Sequence, residues 1–416
     1  MIGSNATLAR FTFSEAIVVR PEGASRERLV VEGDRFATDA GDDGLPDLAG
    51  QLVFPGLVNA HDHLHLNAIP PLPPGRTFPN AYDWAQAFAA HFRRPDVGAA
   101  LAVPEATRLW QGGLKNLLAG VTTVAHHDPW HEVLDDPSFP TAVVRRFGWC
   151  HSLGMAPSPS PVRRWIRRFA NALGVDRGPA YGPPVRASFA ATPPGAPWII
   201  HLAEGTDAEA AGELRRLDRM GCLSDRAVLV HAVGLDSDDQ QQVVGRGAAV
   251  VWCPASNLTI LGRTLQPRLL AEAGRLALGT DSRLSGARDL LDELQVAAAQ
   301  AALAPAVLCQ IATADGARVL ALPEAGRIAP GARADFVVMP DDGRPPHAQL
   351  LSRRRAELRA VFRDGKPAVA DPDFADAFDR AGVAYLRARL DDRPKLLART
   401  FARPDAVARE PGLRLE

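Results

Sequence analysis

The sequence predicts an α/β fold: a (β/α)8, TIM-like barrel with a small composite β-sandwich domain built from both chain ends. Three observations lead there. The chain has 416 residues, more than one average domain but enough for a barrel of roughly 250 residues with additions. From Val53 onward, short apolar runs end in polar or histidine residues and alternate with stretches long enough for helices, the texture of buried parallel strands. No glycine-rich dinucleotide turn marks an open sheet, so that many strands favour closure.

Composition narrows the function before any motif is considered. Hydrophobic residues make up 46% and charged residues 23%, ordinary proportions for a globular chain. With 47 basic and 48 acidic side chains the formal charge is -1. No global field then favours nucleic acid or an anionic membrane, and a small-molecule partner is expected. Four cysteines, Cys150, Cys222, Cys253 and Cys309, lie far apart without a CxxC pair. This argues against a disulfide framework or a thiolate zinc site and for a reducing, cytoplasmic setting. The opening MIGSNATLARFTF lacks a basic start followed by an apolar run, and no stretch reaches about 18 uninterrupted apolar residues, so neither a secretion signal nor a membrane span is expected.

In chain order, residues 7–53 alternate apolar and polar positions between Gly and Asp clusters and read as small antiparallel strands; residues 1–53 are assigned to the small β domain. Residues 54–325 are assigned to the barrel. Its strands are placed at 53–59, 121–126, 144–150, 198–202, 227–231, 248–252 and 276–280. The proline-rich stretch 69–79 (IPPLPPGRTFP) is neither regular helix nor central strand, because proline lacks the donor and fixes φ. It is expected as a loop at the barrel mouth. ATADGARVLAL, past Ile311, reads as helix. GRIAPGARADFVVMP then returns to turn-rich strands, so 326–370 completes the small β domain. From 371 to 416 the periodicity with proline stops predicts a helical tail.

His61, His63, His201 and His231 each fall at the last polar step of a predicted strand, as does Asp281. Positions 61 and 63 are in phase along an extended chain, so both side chains point the same way, into the barrel. Two imidazoles, a third histidine and a carboxylate satisfy a borderline cation such as Zn²⁺ or Fe²⁺ and leave room for water. A lone HxH would carry little weight; several matching strand ends carry more.

The segments PGLVNAHDH (55–63), LLAGVTTVAHH (117–127), IHLAEG (200–205), VLVHAVG (228–234), WCPASN (252–257), LGTDS (278–282) and GRIAPGARADFVVM (326–339) together resemble the amidohydrolase superfamily. The text is similar in particular to the branch of cytosine deaminase, chlorotriazine hydrolase and guanine deaminase, where HxH, HxxE, His and TDS occur in that order. The resemblance spans about residues 50–340. It implies that His61, His63, His201 and Asp281 bind one divalent ion, Zn²⁺ with Fe²⁺ as the alternative. It also implies catalytic roles for Glu204, His231 and Asp281. Glu204, three residues after His201, is placed to shuttle a proton, and His231 to hydrogen-bond the attacking hydroxide or the tetrahedral centre. Binuclear relatives bridge two ions with a modified lysine from a middle strand, but Lys115, Lys366 and Lys395 are the chain's only lysines. One ion is therefore expected.

His65, His126 and His151 are candidates for the substrate pocket, while His127, Asp62 and Asn67, also near strand ends, read either as mouth-facing polar residues or as partners that orient a ligand. RRWIRR at 163–168 suits an acidic substrate, although a solvated helix face explains it more simply. Cys253 reads as a buried strand-end thiol. The expected activity is hydrolysis of a C–N bond other than a main-chain peptide, by deamination of a cyclic amidine or aminated heterocycle. The alternatives are an amidase or peptidase-like hydrolase of an acyclic amide, or an inactive barrel serving as a binding subunit. Dimers are common among proteins of this resemblance, so a homodimer is the expected assembly.

Overall fold

The computed structural model describes residues 10–38, 44–45, 47–71, 73, 75–155 and 181–416. It is a TIM-like barrel with a large additional sheet supplied by the chain ends. The first strands are β1 (Arg10–Arg20), β2 (Gly23–Glu32), β3 (Arg35–Ala37), β4 (Gly44–Leu45) and β5 (Gln51–Pro55). β1 and β2 form a hairpin that turns through Pro21 and Glu22, with Arg20 opposite Gly23. Proline at the first corner position and glycine following are the chemistry such a turn needs.

At Gly56 the chain leaves this sheet and enters the barrel. A side chain there would collide with Thr122 and Asp335, so the close approach of sheet and barrel calls for glycine. The barrel strands follow as β6 (Leu57–Asp62), β7 (Val121–His126), β8 (Ala142–Val143), β9 (Gly148–Ser152), β10 (Trp198–Leu202), β11 (Ala227–His231), β12 (Ala249–Trp252) and β13 (Leu276–Leu278). All their ladders are parallel. β8 pairs β7 while β9 pairs β10. A parallel crossover takes about a dozen residues or more, so the short link 144–147 makes β8 and β9 one bent run that passes from one neighbour to the other. Among the described residues the wall thus consists of seven runs. β6 and β13 close the ring through a bridge between Asp62 and Asp281 and a 2.7 Å bond from His63 N–H to the Asp281 carbonyl.

Apart from the partly exposed run β8–β9, the barrel strands are buried along their whole length, as in β10, where Trp198 to Leu202 are all buried, which is why they read as apolar runs and not as alternation. The return sheet comprises β14 (Phe336–Pro340), β15 (Ala360–Arg363) and β16 (Lys366–Ala370), then β17 (Tyr385–Leu390), β18 (Arg393–Ala398) and β19 (Leu413–Leu415). β14 pairs β5 in register from Phe336 and Pro55 to Pro340 and Gln51, joining the two ends of the chain in one eleven-stranded sheet.

The expected helical tail is a correction. Residues 371–416 contain only short helices and carry three strands, β17 lying between β18 and β19. Arginine, leucine and alanine favour helix locally, but YLRARL also alternates, and pairing along Tyr385 to Leu390 overrides the local preference. Among the described residues no helix is long and apolar enough to cross a membrane.

Candidate metal centre and catalytic cavity

Four donors meet at the carboxyl end of the barrel. His61 lies on the last turn of β6 and His63 just beyond it, His201 lies on β10, and Asp281 follows β13. The Nε2 atoms of His61 and His201 are 3.2 Å apart, and those of His63 and His201 3.4 Å. Asp281 Oδ1 is 3.6 Å from His61 Nε2 and 3.4 Å from His63 Nε2. Ligands 2.0–2.1 Å from a tetrahedral ion are separated by roughly 3.3 Å, so these atoms already stand at the spacing of a coordination shell.

Hydrogen bonds behind the rings orient them. His63 Nδ1 donates to Asp128 Oδ2 at 2.6 Å, and His201 Nδ1 donates to the His151 carbonyl at 3.0 Å. A carbonyl or carboxylate accepts only, so both rings are left with a lone pair on Nε2, facing the common point. His61 is fully buried and its Nδ1 has no partner among the described residues. Asp281 Oδ2 accepts from the hydroxyls of Ser256 and Ser285, each at 2.6 Å, which turns Oδ1 toward the imidazoles. Ala203, His231 and Asp281 hold φ of 53°, 73° and 58°. Left-handed backbone is uncommon for such residues and concentrates at functional sites.

Glu204 and His231 stand beside this centre, with His231 Nε2 3.6 Å from Glu204 Oε1. His231 Nδ1 donates to Asn257 Oδ1 at 2.8 Å. Burial pushes the Glu204 carboxyl up to about 7, against the pull of His231. Both groups open on a cavity of about 400 Å³, large enough for one small molecule. Its metal side holds His63, His201, Glu204, His231 and Asp281; its opposite side is apolar, with Leu66, Trp84, Phe88, Ile260 and Leu284.

The sequence-predicted residues separate into groups. His65 and His151 line the cavity. His126 does not reach it: the ring is buried behind the strand end, and its Nδ1 accepts from Leu64 N–H at 3.3 Å. Asp62 points away from the centre, to Lys115 Nζ at 3.0 Å. Asn67 donates to Asp62 Oδ1 at 2.8 Å and accepts from Arg283 N–H at 3.0 Å. The proline-rich loop leads into the helix Ala81–His91, which contributes Trp84 and Phe88 to the cavity wall. Cys253 is buried, and burial holds its thiol well above the ordinary value. RRWIRR lies outside the described residues. Asp128, Tyr181, Ser256, Ser285 and Asn257 were missed. Only Asp128 left a signal, a carboxylate directly after the histidine pair at the end of β7.

Residues 187–369 match the model of the amidohydrolase family. A 5-methylthioadenosine/S-adenosylhomocysteine deaminase of Halobacterium salinarum is 28% identical over 90% of this chain and 92% of its own length. Over residues 187–369 the chain is thus similar to the amidohydrolase family. Solved structures agree on the fold. An adenosine deaminase from Xanthomonas campestris with bound zinc superposes with a TM-score of 0.65 at 22% identity, covering 89% of this chain and 97% of its own. A mutant atrazine chlorohydrolase of Arthrobacter aurescens, complexed with zinc and atraton, gives 0.66 at 19% identity over 86% and 95%. In this chain the cluster of histidines and Asp281 suits a divalent ion.

Proposed function

We propose that the protein hydrolytically deaminates an aminated heterocycle, using one Zn²⁺ held by His61, His63, His201 and Asp281. One observation carries the reading: oriented imidazole lone pairs and the protonatable Glu204 carboxyl face a single small cavity. The bound ion supplies a hydroxide near neutral pH by lowering the pKa of water from about 15.7 to about 7.

The chain's own groups do the rest. Asp281 Oδ2 is held by Ser256 and Ser285, so its Oδ1 is fixed where it accepts the proton of the attacking water. Glu204, raised by burial to about 7 and so still partly protonated near neutral pH, gives a proton to a ring nitrogen and so makes the adjacent carbon electrophilic. His231, oriented by Asn257, hydrogen-bonds the oxygen that develops on the attacked carbon. Trp84 and Phe88 offer the flat apolar surface that an aromatic ring needs and an acyclic amide does not. The names of the relatives, deaminases of adenosine derivatives, support an aminated purine as the first substrate to try.

The test is ammonia release by the Zn²⁺-loaded protein over a panel of aminated purines, pyrimidines and triazines, with acyclic amides as controls. Release from at least one heterocycle, abolished in Glu204→Gln, is expected. Activity on the amides alone would move the enzyme to the amidase class.

A further inference from the structure

His127 follows β7 and is almost completely buried. Its Nε2 lies 3.1 Å from the Cys150 carbonyl oxygen. The carbonyl accepts only, so Nε2 carries the hydrogen and Nδ1 keeps its lone pair. That Nδ1 is sealed from solvent and has no hydrogen-bond partner among the described residues. Buried polar atoms are nearly always answered, and one that is not calls for an unseen partner.

The surroundings say which partner. The His127 ring centre is 4.5 Å from that of His201, 5.1 Å from His61 and 5.9 Å from His63. One nitrogen from each of the four rings falls within 4.8 Å of all the others. His127 repeats the arrangement of His201, where the far nitrogen is committed to a backbone carbonyl and the near one is left free beside the donor cluster. A lone pair in such a place accepts a cation and cannot donate.

We infer that His127 Nδ1 is a further protein donor to the divalent ion, so that the centre comprises four imidazoles and one carboxylate. This rests on the metal site proposed above. The additional donor is neutral, so it binds the ion without changing the charge of the ligand set, and it raises the coordination number beyond the usual three protein ligands plus water of a catalytic zinc site.

The experiment loads the metal-free full chain with Co²⁺ and records its visible spectrum, with X-ray absorption on the Zn²⁺ form to count imidazoles. Four imidazoles and the weak visible bands of a five- or six-coordinate Co²⁺ are expected. His127→Ala should lower the coordination number by one, strengthening the visible bands, and weaken Zn²⁺ binding at least tenfold in a chelator competition. Three imidazoles in the unaltered chain overturn the inference without any mutant, as does a His127→Ala variant with unchanged spectrum and affinity. An unaltered chain that binds no Co²⁺ overturns the underlying site as well, and so separates the two failures.

Discussion

Strand β6 carries two buried polar clusters only one residue apart, and they are built on opposite rules. On one side Asp62 has every oxygen answered. Its Oδ2 accepts from Lys115 at 3.0 Å, Asn116 at 2.8 Å and Asn59 at 3.1 Å, and its Oδ1 from Asn67 at 2.8 Å. Lys115 also reaches Thr280 Oγ1 at 3.0 Å, which ties β6 to the end of β13. On the other side one ring nitrogen from each of His61, His63, His127 and His201 falls within 4.8 Å of all the others. A satisfied network rigidifies the fold, and an unsatisfied one reserves space for something else. The period-two alternation of the strand puts the scaffold and the site back to back, so the residues that hold β6 in place also aim the histidines.

The comparison predicts that changes on the two sides fail differently. The largest effects belong to the open side. Asp281→Ala and His201→Ala should lose both bound metal and turnover, whereas Glu204→Gln should keep the metal and lose turnover by about 10²–10⁴-fold. Metal analysis beside an ammonia assay decides it; equal metal retention in all three variants contradicts the assignment. The sign of the pH dependence follows from Glu204. Its carboxyl titrates near 7 and must be protonated to act, so turnover should fall as pH rises through about 7. A flat profile across that range in the unaltered enzyme would remove Glu204 from the acid role.

Next comes the closed side. Lys115→Met leaves the Asp62 carboxylate buried without its cation, a loss of about 3–5 kcal/mol of stability. Denaturant unfolding of the metal-free chain is the measurement. The same midpoint in both proteins would mean that the network is not what fixes β6.

What the sequence reveals follows the same division. The proposed donors His61, His63, His201 and Asp281 are legible because each ends an apolar run, a local pattern. The answering groups are not, because they come from distant segments. Tyr181 reaches Asp128 across 53 positions, and Asn257 reaches His231 across 26. The barrel is legible for the same local reason, while β17 to β19 were hidden in a segment whose composition suits helix and whose strand form depends on partners. His126 and His127 are neighbours at the end of one strand, and no periodicity tells which one turns toward the donors; only the position of the Cys150 carbonyl does.

Asp128 stands behind His63 on the open side, and it gives the smallest effects. Its Oδ2 fixes the His63 tautomer at 2.6 Å, and its Oδ1 accepts from Tyr181 Oη at 2.8 Å. Burial, and then the Asp128 carboxylate, push the Tyr181 phenol well above its ordinary value, so it remains a donor. Asp128→Asn weakens the hold on His63 and should cost about 10–100-fold in metal affinity, the usual effect of losing a carboxylate behind a ligating imidazole. Tyr181→Phe removes only one neutral donor from that carboxylate, worth about 1 kcal/mol. Chelator competition on both variants orders them. If Tyr181→Phe weakened metal binding as much as Asp128→Asn, the phenol would itself be part of the site, and the division between donors and their supports would have to be redrawn there.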